Sequence, residues 1–506
     1  MKKQIITALF LIFCSIGYPK NYCVTKTGND NNAGTVSSPF LTITKGMNAA
    51  TQAGDTVFVK AGTYAESVRF YASGTQEKSI VLKNYHNDNV IIDAQNTRFF
   101  CLYTNSQSYI VIDGIKVQNS TTYNVTVSGG SNILLKNIRS TLPLGKKTPH
   151  LEFPSSPKNV TLQNIITYGG SYGLYIDSEV DNINIISGEF SYALIDGISV
   201  YGSGTNTKNI TIDGAYSHHN GRQGIDMAKC QFITVRNCHC SYNAASGIQI
   251  EAQGNNSLIE NNLCEYNCRG GGYANSDFEA GIWIYNTDVS IVRNNTIRYN
   301  QTGLRFVQAS NFQAYNNVIS NNNYQPPAFP TTQNTSGVDF NTSSGAFYNN
   351  TLYGNSSLNS KLGSLYIYPN GISTLSIKNN VIMNDGGTKD MGMDQPIGSV
   401  VISDYNLVFN ANRAVKIKMK ASTYTWDFYK MVSGNDANSL NSDPKFLNIS
   451  DEDYRLQSTS SAINAGENVG ILTDHSDQPR HESYDIGAYK FNVTNSGESI
   501  TKSSSK

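Results

Sequence analysis

Four segments of this chain align on one another: ITIDGAYSHHNGRQGIDM, ITVRNCHCSYNAASGIQI, LIENNLCEYN…AGIWI and IVRNNTIRYNQTGLRF. Each runs through an apolar alternation, a turn residue (Gly214, Asn237, Asn261 or Asn294) and a second short alternation. An asparagine follows (Asn220, Asn243, Asn267 or Asn300), then Gly-apolar-x-apolar. Where there is no insertion the period is about 22–24 residues, the range of solenoids. Weaker copies extend outward through YGLYID and DGISVY upstream and SGVDF and SLYIY downstream.

A unit of short, period-two strands cannot bury its apolar face alone. Stacked in parallel, each unit finds backbone partners about 4.8 Å above and below. Asparagine tolerates left-handed backbone at tight turns, and its amide can bond the asparagine of the next rung. The pattern therefore predicts an all-β fold, a right-handed parallel β-helix of roughly a dozen rungs. A leucine-rich repeat is the competitor, and its LxxLxLxxN spacing is absent. Solenoids need capped ends. SPFLTITKGMNAATQ (38–52) predicts an N-terminal helical cap, and DTVFVKAGTY the first strand and turn. The expected layout is a signal peptide at 1–17, the β-helix with its cap at 22–381, a C-terminal coda packed on it at 382–490, and a disordered tail at 491–506.

The start, MKKQIITALFLIFCSIG, has two lysines, a short apolar run and small residues before Tyr18. The run is too short to span a bilayer and reads as a secretory signal, so the expected location is outside the cytoplasm. A net charge of zero excludes the basic surface that nucleic acid requires. Seven cysteines would remain after cleavage, an odd set without disulfide-scaffold pairing. Cys240 and Cys264 occupy equivalent places in successive repeats and read as buried thiols.

Strand parity locates the working face. In Gly-apolar-x-apolar the apolar residues point inward and x points out. Stacked copies give an outward column of Glu152, Tyr175, Ser199, Asp226, Gln249, Trp283, Arg305, Asp339 and Tyr366. Two residues on runs a second column through Asp177, Tyr201, Ala228, Glu251, Tyr285 and Val307. Carboxylates and aromatics share this face, and flat rings suit stacking on sugars. Two insertions of about ten residues each, within CRGGGYANSDFEA and YQPPAFPTTQNTS, enter just before the outward strand and would wall a groove. Asp226 and Glu251 lie one rung and two residues apart, roughly 8 Å between Cα atoms, which suits a carboxyl pair for glycoside cleavage. Glu279 and Asp277 could reach over from the first insertion. Asp226 with Asp277, joined by Glu251 and Glu279, could hold calcium through oxygen ligands. His218 and His219 sit before the asparagine turn, are expected on opposite faces, and read as scaffold.

YCVTKTGNDNNAGTVSSPFLTITKGMNAATQAGDTVFVKAGTYAESV resembles the N-terminal segment of secreted β-helix proteins of the pectate lyase type, the family-nine polysaccharide lyases and related β-helix glycosidases. SDPKFLNISDEDYRLQSTSSAINAG and YDIGAYKF resemble the coda of the same proteins. The resemblance implies a polysaccharide partner, a calcium site and a lysine base. In those lyases the segment matching RQGID carries aspartates before and after the glycine. Here Arg222 and Gln223 precede Gly224, only Asp226 matches, and Gln249 stands at the nearest equivalent of the lysine. The expectation is a monomeric polysaccharide-binding protein, first a lyase acting by β-elimination on a uronate glycan. Such a lyase would use Arg305 or Arg222 to neutralise the uronate, and Lys229, Arg305 or a tyrosine to take the proton. A hydrolase using Asp226 and a second carboxylate, and a non-catalytic glycan binder, are the alternatives. Candidate catalytic residues are Asp226, Glu251, Glu279 and Arg305. Candidate sugar contacts are Tyr175, Tyr201, Arg222, Gln249, Trp283, Tyr285 and Tyr366.

Overall fold

Ile198, Ile225, Ile248, Ile282, Leu304, Val338 and Leu365 stand one above another in parallel register, each fully buried. Val200, Met227, Ile250, Ile284, Phe306, Phe340 and Ile367 form a second such column two residues on. These inward columns are what period-two alternation becomes when rungs stack, and removal of their apolar surface from water drives the stacking. The structure, a computed structural model, describes residues 18–270, 279–323, 336–355, 362–384, 389–394, 398–420, 422–480 and 484–492. It is a parallel β-solenoid of one 26-stranded and one 15-stranded sheet. A typical rung supplies two strands to the wide sheet and one to the narrow sheet, as Gln231–Arg236, His239–Ser241 and Ile248–Glu251 do.

The register predicted from parity holds along the narrow sheet. Glu152 pairs with Tyr175, Tyr175 with Ser199, Ser199 with Asp226, and so on through Gln249, Trp283, Arg305, Asp339 and Tyr366.

The recurring asparagines divide two tasks that the sequence reading gave to one. In each Asn-Asn pair the first residue takes the left-handed turn: Asn261, Asn294, Asn316, Asn349 and Asn379 have φ between 50° and 57°. The second turns inward and bonds to the next rung, Asn262 to Asn295, Asn295 to Asn317, Asn317 to Asn350 and Asn350 to Asn380, each at 3.0 Å. A second internal ladder runs Asn220–Asn243–Asn267–Asn300–Asn322–Asn355 at 2.8–3.1 Å. The glycine after it makes room. A Cβ on Gly224 would lie 2.6 Å from the Gly247 oxygen and 2.8 Å from Asn243 Nδ2.

The N-terminal cap is the helix α1, Ile43–Ala49, whose Thr42 side chain accepts from the Lys45 N–H. At the other end the expected boundary at 381 needs correction. Val400–Asp404 pairs in parallel with Thr374–Lys378, Leu407–Asn410 with Val381–Asn384, and Lys416–Met419 with Met391–Met393. The repeat fades there because a glycine, Gly392, takes the outward position opposite Tyr366, while the structural asparagines Asn380 and Asn406 continue. The narrow sheet ends where Ser422–Thr425 turns back antiparallel, followed by α2, Trp426–Ser433. The coda then folds back on the wide sheet, packing Phe446, Tyr454, Leu456 and Ile486 on Val318, Tyr353, Val381 and Leu407. All seven described cysteines are buried free thiols, with Cys240 opposite Cys264.

Candidate functional site

The narrow-sheet column points away from the core, yet most of it is buried. Asp226 is 4% exposed and Gln249 2%; Arg305, Asp339 and Tyr366 are also buried, while Tyr175, Trp283, Tyr285 and Glu251 are half-buried. The open groove floor expected from parity is therefore corrected. Turn residues rise against the column: Tyr172 stacks on Tyr175 at 4.6 Å, and the Arg222 guanidinium lies 4.0 Å from Asp226. Tyr201 stays exposed, and its hydroxyl accepts from Lys229 Nζ at 2.6 Å, which ties up that candidate base.

Asp226, Glu251 and Glu279 are brought together, and a fourth carboxyl, Asp196, joins them with Arg222 between. Asp196 precedes Gly197 one rung before Gln223. It sits in DGISVY at the place where the resemblance puts an aspartate before a glycine, so alignment one rung earlier would have found it. Burial pushes the Asp226 carboxyl well above the usual range, and Asp196, Glu251 and Glu279 push it further while Arg222 pulls it back. Burial likewise raises Asp196 from 3.8 to about 6, against the pull of Arg222, the Gln223 N–H and Ser199. Asp226 Oδ1 and Asp196 Oδ2 are buried without a hydrogen-bond partner. A carboxyl so placed holds its proton more tightly than one in water. Glu251 is held differently: its Oε2 accepts from Gln249 Nε2 at 2.5 Å. Glu279 Oε2 accepts from Ser246 Oγ at 2.7 Å.

Arg305 is not part of this cluster. It stands three rungs further along, about 14 Å away at strand spacing. There it pairs with Asp339 at 3.4 Å, with its guanidinium 5.9 Å from the Trp283 ring and 5.7 Å from Tyr368. Tyr366 donates to Asp394 at 2.8 Å, and Lys418 also pairs with Asp394. Asp394 and Lys418 escaped the sequence reading because they lie beyond the point where the repeat becomes illegible. The face thus has an acidic half around Asp226 and a charge-balanced aromatic half around Arg305.

The residues around Asp226 do not fit the calcium ion that the fold resemblance implies. Arg222 supplies the cation among these carboxyls, and among the described residues no group of three or more His, Cys, Asp or Glu side chains is arranged to hold a metal. Asp277, both insertion tips (271–278 and 324–335), the expected signal segment and most of the expected tail lie outside the described residues.

The two histidines do not face opposite ways as parity predicted. Their Nδ1 atoms are 2.8 Å apart, because His219 has a φ of 55° and breaks the alternation. His219 stacks between Tyr192 and Tyr242 at 4.9 and 5.0 Å, in a column continued by Tyr266 and Tyr299. These rings cover one another's faces, which leaves only edges for any ligand.

A family model described as "Right handed beta helix region" matches residues 100–264, 178–324 and 274–437, and one described as "Pel9A-like, right handed beta helix region" matches 22–168. An uncharacterized protein, YwoF of Bacillus subtilis (strain 168), is 32% identical over 121 residues, 22% of this chain and 26% of that one. The pectate lyase PEL9 of Emericella nidulans is 35% identical over 74 residues, 14% and 18% of the two chains. The chain thus spans about a quarter or less of the length of these curated relatives. The structure of XylC with xylose superposes with a TM-score of 0.49 at 13% identity, covering 94% of this chain and 98% of that one.

Proposed function

Because this chain belongs to the right-handed β-helix family, we propose that it is an exported carbohydrate-active enzyme that hydrolyses a glycosidic bond on the narrow-sheet face. Asp226 acts as the acid and Glu251 as the base or nucleophile. The observation that carries the reading is the unequal treatment of two neighbouring carboxyls. Asp226 is buried, with one oxygen unbonded and its affinity for a proton raised. Glu251 is half-exposed and held by an amide donor. Glycoside hydrolysis needs one carboxyl that gives a proton and a second that activates water or attacks carbon.

Charge favours this reading over β-elimination. Asp196, Asp226, Glu251 and Glu279 gather around Arg222, and Arg269 lies near Glu279 beside Cys268. Acidic side chains outnumber basic ones there, which favours a sugar without a carboxylate over a uronate. The resemblance to a pectate lyase, the Pel9A-like match at 22–168 and the PEL9 relative support the lyase as second reading. Its favouring geometry is Arg305, which donates to the Tyr368 hydroxyl at 3.3 Å and so places a cation beside a potential base.

One screen separates the readings. Purified protein is incubated with neutral and uronate-containing polysaccharides, with and without calcium, and both reducing ends and ultraviolet absorbance are followed. Hydrolysis yields reducing ends from neutral glycans without absorbance, and chelation leaves the rate unchanged. An unsaturated, absorbing product from a uronate glycan overturns hydrolysis in favour of the lyase; binding without product overturns both. Export is tested by N-terminal sequencing of the mature protein, with Tyr18 expected first.

A further inference from the structure

The acidic half contains two buried glutamines that ordinary packing does not require. Gln249 occupies the outward position next to Asp226 in the ladder. Gln223 lies in the turn just before the Asp226 strand, and both side chains are buried. A carboxylate can only accept, so Gln249 must present its NH₂ to Glu251, at 2.5 Å. That choice turns Gln249 Oε1 the other way, where Gln223 Nε2 donates to it at 2.7 Å. The Gln223 backbone N–H in turn donates to Asp196 Oδ1 at 2.9 Å. The bond to Glu251 thus fixes the direction of the bond between the two amides. The arrangement leaves Gln223 Oε1 buried without a partner, a cost that two apolar side chains of similar size would not incur. Both ends of the Gln249 amide are thereby engaged within the protein.

We propose that Gln223 and Gln249 form a one-way amide relay that holds the Glu251 carboxylate in its working orientation beside Asp226. Gln249 is thus a positioning residue, not a sugar contact; this rests on the hydrolase reading above. The charged groups facing Glu251 and Asp226 are Asp196, Arg222 and Glu279, from the turns and strands of the neighbouring rungs.

The test uses the full chain with Gln249→Met, Gln249→Glu and Gln223→Met. Misorientation of a catalytic group costs about 10- to 100-fold. For Gln249→Met that loss is expected in kcat with KM nearly unchanged. Gln249→Glu should recover toward acid pH, where the introduced carboxyl, once protonated, can again donate to Glu251. Gln223→Met should act in the same direction and less strongly. Loss through KM alone, or no recovery by Gln249→Glu at acid pH, overturns the relay. An arm that needs no substrate compares crystal structures of wild type and Gln249→Met. The Glu251 carboxylate turns to a new rotamer if the relay holds it, and an unmoved carboxylate overturns the relay even if the hydrolase reading survives. A wild type without hydrolase activity but with the turned carboxylate in the variant overturns the function and leaves the relay standing.

Discussion

The inner asparagine ladders and the column through Asp226 obey the same stacking rule and use it in opposite ways. Along Asn220, Asn243, Asn267, Asn300, Asn322 and Asn355 every rung repeats one residue and one hydrogen bond, and each buried amide is satisfied. Along Ser199, Asp226, Gln249, Trp283, Arg305, Asp339 and Tyr366 no residue is like its neighbour. There, Asp226 Oδ1 and the Trp283 Nε1 are buried without partners. Identical neighbours can each meet the next one's need, so repetition yields stability. Unlike neighbours leave charges and lone pairs unmet, which weakens the fold locally and supplies the reactivity a site requires.

The contrast can be broken most forcefully at Asp226. Asp226→Asn removes the proposed proton donor at nearly constant shape. Activity is expected to fall by about 10²- to 10⁴-fold, while Tm, read by calorimetry at neutral pH, stays level or rises. A fall in Tm with activity retained would place Asp226 in the scaffold. Asn267→Ala should do the reverse. It strips Asn243 of its acceptor and Asn300 of a donor inside the stack, at a cost of about 3 kcal/mol in denaturant unfolding, with kcat per folded molecule preserved.

The pH dependence sharpens the same contrast. Asp196 rises from 3.8 to about 6 on folding, so between those values the folded chain holds the proton that the unfolded chain releases. Its contribution to stability is full below 3.8 and is lost as pH rises through 6. Asp196→Asn should flatten that part of the Tm–pH curve and stabilise the protein at pH 7 by up to about 3 kcal/mol. An unchanged slope would mean that Asp196 is already ionised in the fold. The smallest effect is expected at Tyr242, an exposed member of the stacked ring column. Tyr242→Ala should cost about 1 kcal/mol and leave activity and substrate range untouched; a change in glycan affinity would turn that column into a binding surface.

Much of this was legible in the chain. Gly-apolar-x-apolar named the narrow-sheet strands, and parity placed Glu152 through Tyr366 in one column in their observed register. The same reading put Asp226 and Glu251 on one face. It passed over Asp196, whose meaning depends on the rung above, and it joined Arg305 to a cluster that lies three rungs away. It also read Gln249 as exposed, because an outward side chain reads that way until the turn residues that cover it are in place.

The sequence by itself determined the stack: its rungs, its register and which side chains face out. The physical reason is that backbone pairing and apolar alternation are local and repeat with the chain, so each unit carries the instruction for its neighbour. Only the tertiary structure decided that Asn294 turns the chain while Asn295 bonds the next rung, that Arg222 stands among four carboxyls, and that the Asp226 carboxyl is buried with its affinity for a proton raised. Those outcomes follow from burial and from charges summed over residues of several rungs, and no single repeat contains that sum.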